Sequence, residues 1–408
     1  MSRHRDQVCV LDLGSHTLRA AIFDCGRDAQ SLEVRGIARR RARGIGAGAV
    51  IDLRTLSAEI EALMHQLELM SDLRVSRVVL MVTHPSLSVC SASGVASVGG
   101  SVVQPKDCRR AEDVARERFD RRRHRLVHEA VKNFRLDGRV YRERPHALKG
   151  QRLEVDVQHV SYCEATLDNL VRAVQAAKLQ VEAVCSSAMA AAQGALTSDE
   201  RSAGVALLEL GGQTTTAAIY AQGALVSARC ERGGADGLTH ALSQGLLIPR
   251  RDAEQIKHEH AYASNLGAPK REPVRVETIG LRDARQLCPR LFAEAMESPL
   301  SELLSRLARL VAESGMAQQL SAGLVLTGNG ARLRGLCDLA ERLLSVPVRV
   351  AKPTEQQGLG TLLNEPGDCA LIGAATMWSE DQLPSWETPQ RKARARRSAQ
   401  PRWLDLLA

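Results

Sequence analysis

Apolar positions along this chain fall into short unbroken runs closed by Gly-, Asp- and Thr-bearing turns, with amphipathic stretches between them. Val8–Leu13 and Leu18–Phe23 read as a β-hairpin and Leu32–Arg39 as a third strand. After the loop Gly44–Gly48, Leu56–Leu69 places Leu, Ile and Met at helical spacing, and Val75–Thr83 is a buried strand, apolar throughout Val78 to Val82. From His84 to His159 the pattern changes. Short strand-like pieces (Leu87–Ala92, Val102–Val103) precede a charged helix over Asp107–Arg123, then the segments Arg125–Phe134 and Val140–Tyr141; Val160–Lys178 resumes a strand–helix unit. A second hairpin follows at Val205–Leu210 and Ala217–Tyr220, then Ala224–Arg229 and a Gly-rich turn into a helix at Gly233–Leu247. Helices are predicted at Arg250–Ala263 and Arg285–Ser305, with Pro269–Val274 a linker and Glu277–Leu281 a strand between them. The strand at Gly323, the helix Leu336–Leu344 and the linker-like Leu383–Gln400, rich in Pro, Ser, Arg and Lys, complete the pattern. It is that of an α/β protein, and 408 residues exceed what one core usually fills, so two lobes are expected.

Three of the turns carry chemistry. Asp12-Leu13-Gly14-Ser15-His16-Thr17 and Glu209-Leu210-Gly211-Gly212-Gln213-Thr214-Thr215 each read as strand, acid, Gly/Ser/Thr turn, strand. Glycine lets backbone N–H groups approach phosphate oxygens, hydroxyls add donors, and Asp12 or Glu209 can hold a metal or order a water. Thr327-Gly328-Asn329-Gly330 reads as strand, turn and helix, offering a turn and helix start to a nucleotide. Taken singly, each is ordinary turn chemistry. Together they fit a cleft with one phosphate hairpin from each lobe and a loop for the nucleoside.

Charge changes the picture at one end. The net charge of +8 points to an anionic partner (nucleic acid, anionic lipid or an acidic peptide) unless it only reflects an Arg-rich genome. The run Arg116–Arg125 is most simply a solvated helix face, with a contact surface as the alternative. Six cations between Arg391 and Arg402 come with no acid among them, and Trp403, Leu404, Leu406 and Leu407 then form an apolar cluster, as in an interfacial helix on anionic lipid; the alternative is a tail that docks on the protein itself. Aromatic residues are only 3%, so Leu, Val and Ala must fill the cores. The ten Cys show no metal-ligand spacing, and Cys9, Cys185 and Cys337 sit in apolar runs as small hydrophobes. No signal peptide or membrane-spanning stretch is visible, so a cytoplasmic protein is expected.

The three segments in this order resemble the actin/Hsp70/sugar-kinase superfamily, and further segments narrow the resemblance to the bacterial cell-division FtsA family. Asp252-Ala253-Glu254-Gln255-Ile256-Lys257 is similar to the family segment whose acid and lysine reach ribose and adenine. Val181–Glu200 resembles its connecting helix, ending in Leu196-Thr197-Ser198-Asp199-Glu200, and Pro347–Val350 with Ala370-Leu371-Ile372-Gly373 resembles the closing strand and return helix of its first lobe. The resemblance covers residues 7–408 and implies an actin-like, two-lobed α/β fold with the family's inserted subdomain. The implied organisation is 1–83 and 160–203 for the first lobe core, interrupted by the insertion 84–159; 204–239 and 306–346 for the second lobe core; 240–305 for its small subdomain; 347–382 for the return to the first lobe; and 383–408 for a basic linker with a membrane-targeting segment.

It implies ATP and Mg²⁺ in the cleft. The nucleotide would meet Asp12, Gly14, Ser15, His16, Thr17, Glu209, Gly211, Gly212, Gln213, Thr214, Glu254, Lys257, Gly328, Asn329 and Gly330, and the metal Asp12 and Glu209. It further implies self-assembly into filaments, the FtsZ C-terminal peptide and other divisome proteins as partners, no nucleic acid, and a peripheral place on the inner face of the cell membrane at the division site. The region 240–305, with Arg250, Arg251, Lys257 and Arg290, would take the FtsZ peptide.

Departures from the family pattern bear on hydrolysis. Thr17 stands at the family's lysine, with Arg19 the nearest cation; Glu209 and Thr216 stand for aspartates, and Gln213 and Asn329 for glycines. A longer acid shifts a positioned water, which such chemistry tolerates poorly, and Gln213 is expected to put a side chain where backbone should meet phosphate. The expectation is a nucleotide site that turns over slowly or not at all, with no catalytic residue assigned. A pilus-type actin-like assembly protein and a superfamily phosphotransferase or polyphosphatase are the alternatives. The first usually lacks the terminal anchor; the second needs an acid that Cys185–Thr197 does not contain.

Overall fold

The first lobe opens as its apolar runs dictate. Strands β1 (Gln7–Leu13) and β2 (Thr17–Cys25) form a hairpin, and β3 (Leu32–Arg41) pairs antiparallel with β2. The computed structural model describes residues 7–26, 32–100, 102–120, 122–265, 272–280, 283–353 and 357–386. A two-rung ladder, β4 (Ile45–Gly46) with β5 (Ala49–Val50), leads into α1 (Leu53–Ser71). That helix starts a turn earlier than its apolar spacing indicates, because the Asp52 side chain caps it, accepting from the Arg54 and Thr55 N–H groups at 3.0 and 3.2 Å. Strand β6 (Arg77–Val82) then runs parallel to β1.

The insertion forms a sheet of its own from β7 (Ser88–Ser97), β8 (His124–Leu136), β9 (Arg139–Tyr141) and β10 (Arg152–Cys163), in the order β7-β10-β8-β9. Helix α2 (Pro105–Glu117) packs on it. A Cβ on Gly94 of β7 would sit 1.9 Å from the Ala111 carbonyl oxygen, so only glycine allows that approach. The helix stops well before Arg123. The charge run is therefore not one helix face: Arg116 lies in the last turn of α2, bonded to Glu129 at 2.7 Å, and Arg125 lies on β8.

The chain returns through α3 (Glu164–Ala176) to β11 (Gln180–Ser186), α4 (Ser187–Ala195) and α5 (Ser198–Ala203). Val181–Ser186 is thus a strand, not the start of the connecting helix; it is buried in parallel pairing with β6, where β-branched residues fit. The second lobe repeats the opening with β12 (Val205–Leu210), β13 (Thr214–Ala221) and β14 (Ala224–Arg232), followed by α6 (Ala235–Leu246) and α7 (Arg250–Glu259). In the small subdomain β15 (Val274–Val276) pairs with β16 (Arg285–Leu287), so the predicted strand at 277–281 lies too far along and the predicted helix begins too early. Helix α8 (Pro289–Glu313) starts at a proline suited to a first turn. Then come β17 (Leu324–Thr327), a 3₁₀ turn at Asn329–Arg332, α9 (Leu336–Leu344) and β18 (Val348–Val350). Pairing of β18 with β17 puts it in the second-lobe sheet rather than in the first-lobe return expected for Pro347–Val350. The return is made by β19 (Gln357–Gly358), beside β3, and α10 (Cys369–Ser379).

The two main sheets read β11-β6-β1-β2-β3-β19 and β14-β13-β12-β17-β18. Period-two burial divides the second sheet between two cores: Val205 and Leu207 join the core of the first lobe, while Leu208 and Leu210 join that under α6, α7 and α8. Helix α4 touches strands of both sheets and crosses α10 closely. A Cβ at Gly194 would sit 1.9 Å from the Cys369 carbonyl oxygen, and one at Gly373 1.9 Å from that of Ala190, so the two helices meet backbone on backbone.

The start of the expected linker is packed. Leu383 is buried, the Trp386 N–H donates to the Glu182 carbonyl at 2.7 Å, and the Arg125 guanidinium stacks 3.5 Å from the Trp386 ring centroid. The basic run Arg391–Arg397 and Trp403, Leu404, Leu406 and Leu407 lie outside the described residues. No helix among the described residues is long and apolar enough to cross a membrane.

Candidate functional site

Both hairpin turns are built on glycines that leave no room for a side chain. A Cβ on Gly14 would lie 2.6 Å from the Thr17 carbonyl oxygen, and one on Gly211 2.9 Å from that of Thr214. The third loop turns at Gly328, whose φ of +78° favours glycine, and closes on Leu210 of the second hairpin: a Cβ on Gly330 would meet the Leu210 side chain at 2.4 Å. These loops, far apart in sequence, wall one cavity of about 430 Å³ between the lobes. Asp12, Gly14, Ser15, His16, Thr17, Glu209, Gly211, Gly212, Glu254, Lys257, Gly328, Asn329 and Gly330 line it. Thr214 lines a smaller cavity of about 70 Å³ beneath the hairpins.

Gln213 is the exception and a correction. Its side chain leaves the cavity, accepts from the Ala47 N–H at 2.9 Å and donates to Asp236 at 3.1 Å, so it obstructs no phosphate approach. The Asp236 carboxylate in the first turn of α6 gathers three side chains: Gln213, Arg250 at 3.3 Å, and His16 from the opposite lobe. His16 in turn covers Gly212, where a Cβ would come within 2.3 Å of its ring. The hydrogen bond to Asp236 raises the His16 pKa above its usual value. Burial acts to raise that of Asp236, but the His16 bond and charge outweigh it and the value falls.

At the other end Glu254 and Lys257 meet each other first. Lys257 is buried and donates to both Glu254 oxygens (2.9 and 2.8 Å), to Thr239 (2.9 Å) and to the Ala235 carbonyl (3.2 Å). Against the cost of burial, bonds from His258, Lys257 and Thr239 hold the Glu254 carboxyl well below the usual range. A ribose or adenine here would meet a pre-formed pair on α7, with His258, Arg332 and Arg334 also in the wall.

The floor carries the main surprise. Arg19 stands opposite Asp12 in the β1–β2 ladder and donates from Nε and Nη2 to the same oxygen, Oδ2, at 2.9 and 2.6 Å. Its Nη1 reaches Asp368 at 3.4 Å, and Arg39 holds the other Asp368 oxygen at 2.8 Å. Glu209 has no such partner: its Oε2 is buried and unbonded, and burial, with the nearby Asp12 charge, pushes its pKa up to about 7. The two acids expected to hold Mg²⁺ therefore do not fit a metal pair. One is engaged by a fixed guanidinium and the other is pushed toward its neutral form. Sequence reasoning noted Arg19 only as the nearest cation, and left out Asp236, Arg332 and Arg334. The Gly-Gly-Ala-Asp turn into α6 and the cations after Gly330 were the signals available for the last three.

Two lobes on duplicated sheets, a glycine-walled cleft between them and a separate inserted sheet define the class: an actin-like fold with an insertion. The structure is similar to the PilM–PilN type IV pilus biogenesis complex (TM-score 0.61, 16% identity, covering 91% of this chain and 98% of that one). It is also similar to MreB5 of Spiroplasma citri bound to ADP (TM-score 0.55, 14% identity, covering 93% and 98%). The family model for cell division protein FtsA matches residues 206–373, and that for the SHS2 domain inserted in FtsA matches 86–161, together more than half of the chain. The chain is 27% identical to cell division protein FtsA of Escherichia coli K12 over 386 residues (93% of this chain, 92% of that protein). It is 28% identical to FtsA of Agrobacterium fabrum over 384 residues (91% and 87%). The chain belongs to the FtsA family of cell-division proteins.

Proposed function

We propose that the chain is an actin-like cell-division scaffold that binds ATP or ADP between its lobes, turns it over slowly or not at all, assembles with copies of itself and ties FtsZ to the inner face of the cell membrane. The observation that carries the nucleotide part is the convergence of three distant glycine loops on one cavity, with the Glu254–Lys257 pair at its far end. That volume suits a small-molecule site. Slow turnover follows from Thr17 in place of a lysine and Thr216 in place of an acid.

The small subdomain supports an FtsZ-type peptide, acidic and apolar. Leu247 and Ile279 are half exposed and tied together by the Ile279 N–H to the Leu247 carbonyl at 2.9 Å, with Arg250, Arg251 and Arg285 exposed on the same subdomain. Lys257, counted among the basic residues from sequence, is buried and does not belong to that surface. The inserted sheet would serve self-assembly and other divisome partners. Trp403, Leu404, Leu406 and Leu407, behind the basic run, would supply the anchor to an anionic membrane.

The test is binding of a fluorescent ATP analogue to the full chain and to Gly212→Arg, whose side chain must displace the His16 ring. Binding by the wild type and loss in the variant are expected. No binding by the wild type sinks the nucleotide reading, and turnover near the ~10 per second of ordinary enzymes sinks the slow-site reading.

A further inference from the structure

We infer that Arg19 takes the place of a divalent cation in this cleft, so that the chain holds nucleotide phosphates without a metal. The inference rests on the nucleotide reading above and goes beyond it. Arg19 lies on β2, only 12% exposed, and what remains exposed lines both the main cavity and the smaller one beneath the hairpins.

A guanidinium has five N–H donors in a rigid plane. Asp12 takes two of them and Asp368 a third, which leaves two, one on each terminal nitrogen. The carboxylates fix the plane, so these donors need no reorganisation to meet an anion, and phosphate suits such a fork.

The position also fits. Asp12 is two residues from the Gly14 turn, so the guanidinium sits beside the turn of the first hairpin. A Cβ on Gly367 would lie 3.0 Å from Arg19 Nη1 and 2.5 Å from Asn329 Oδ1, so the arginine and the third loop both pack against the Gly367 backbone. One fixed positive charge thus stands among the loops that a nucleotide's phosphates would face. A dication at Asp12 would have to displace the arginine from that carboxylate or share the site with its charge. In the second lobe no cation among the described residues is hydrogen-bonded to the acid, and Thr216 stands opposite it.

The experiment measures the dissociation constants of ADP and ATP on the full-length protein with Mg²⁺ and with excess EDTA. Equal affinities within about threefold are expected, well under one tenfold step in the dissociation constant. A loss of tenfold or more in EDTA overturns the inference but leaves the nucleotide reading intact, whereas no binding in either condition overturns both. Arg19→Gln, checked for folding by circular dichroism, should bind about tenfold more weakly in EDTA and recover part of the loss with Mg²⁺. Arg19→Lys keeps the charge but loses the fork, and should bind in EDTA with an affinity between those of wild type and Arg19→Gln. A folded Arg19→Gln protein with unchanged affinity in EDTA would also overturn the proposal.

Discussion

The two hairpins facing each other across the cleft share a topology and differ in one charge. In each the first strand pairs antiparallel with the second and parallel with a later strand, β1 with β6 and β12 with β17. Each places an acid two residues before its first turn glycine, Asp12 before Gly14 and Glu209 before Gly211. Across the ladder from Asp12 stands Arg19; across from Glu209 stands Thr216. The first acid is held by two hydrogen bonds from a cation. The second, with no hydrogen bond from a cation among the described residues, is driven toward its neutral form by burial and the Asp12 charge, which outweigh the Ser187 hydrogen bond and the Arg19 charge. Duplicated backbones need not give duplicated chemistry: the residue facing the acid decides whether its site holds a fixed charge or a proton.

The largest effect should come from breaking the charged hairpin. Arg19→Ala leaves Asp12 and Asp368 buried with one cation fewer, and should cost about 3–5 kcal/mol in denaturant unfolding. A loss below about 1 kcal/mol, typical of an exposed pair, would show that the network is not structural.

In the second hairpin Glu209→Gln should stabilise rather than destabilise. The folded pKa is raised, so the wild type pays a growing penalty as pH rises from the usual carboxyl range to about 7. The variant's advantage should grow over that window to on the order of 2 kcal/mol and stay level above it. A constant difference between pH 4 and 8 would mean that Glu209 is not perturbed.

The contact across the cleft from the first hairpin to α6, His16 to Asp236, has a half-exposed histidine and should matter less. With the His16 pKa raised, its contribution is fully present below the ordinary histidine value of about 6.5 and is lost as pH rises through the raised one. The melting temperature of His16→Ala should therefore fall furthest below wild type under pH 6.5 and approach it in alkali. The smallest change is expected for Thr216→Val, within about 1 kcal/mol of wild type, since no charge is uncovered. A larger loss would mean that the second hairpin depends on its hydroxyl as the first depends on its guanidinium.

The glycine loops and long elements were legible because each carries its signal locally, in an apolar run of fixed period followed by turn residues. Three-residue strands were not. Val348–Val350 is too short to show a period, and only pairing with β17 tells which sheet it joins. Arg285–Leu287 reads as the start of the helix behind it until β15 supplies its partner. Arg19 was visible as the nearest cation, yet its role depends on Asp368, 349 residues away in sequence, and on being opposite Asp12 in a ladder. Gln213 was misjudged for the same reason: its partners are in the other lobe's loop and on α6, neither adjacent in sequence.

The glycine crossing of α4 and α10 has a mechanical consequence. Where backbones touch, there is no layer of side chains to shear, so one helix cannot slide along the other, but it can swivel about the point of contact. Because α4 bears on strands of both sheets, that crossing sets how the two sheets sit on either side of the cleft. A methyl group at Gly194 or Gly373 would force the two helices apart, and its expected effect on nucleotide affinity, measured on Gly194→Ala, would come from residues that do not line the cavity.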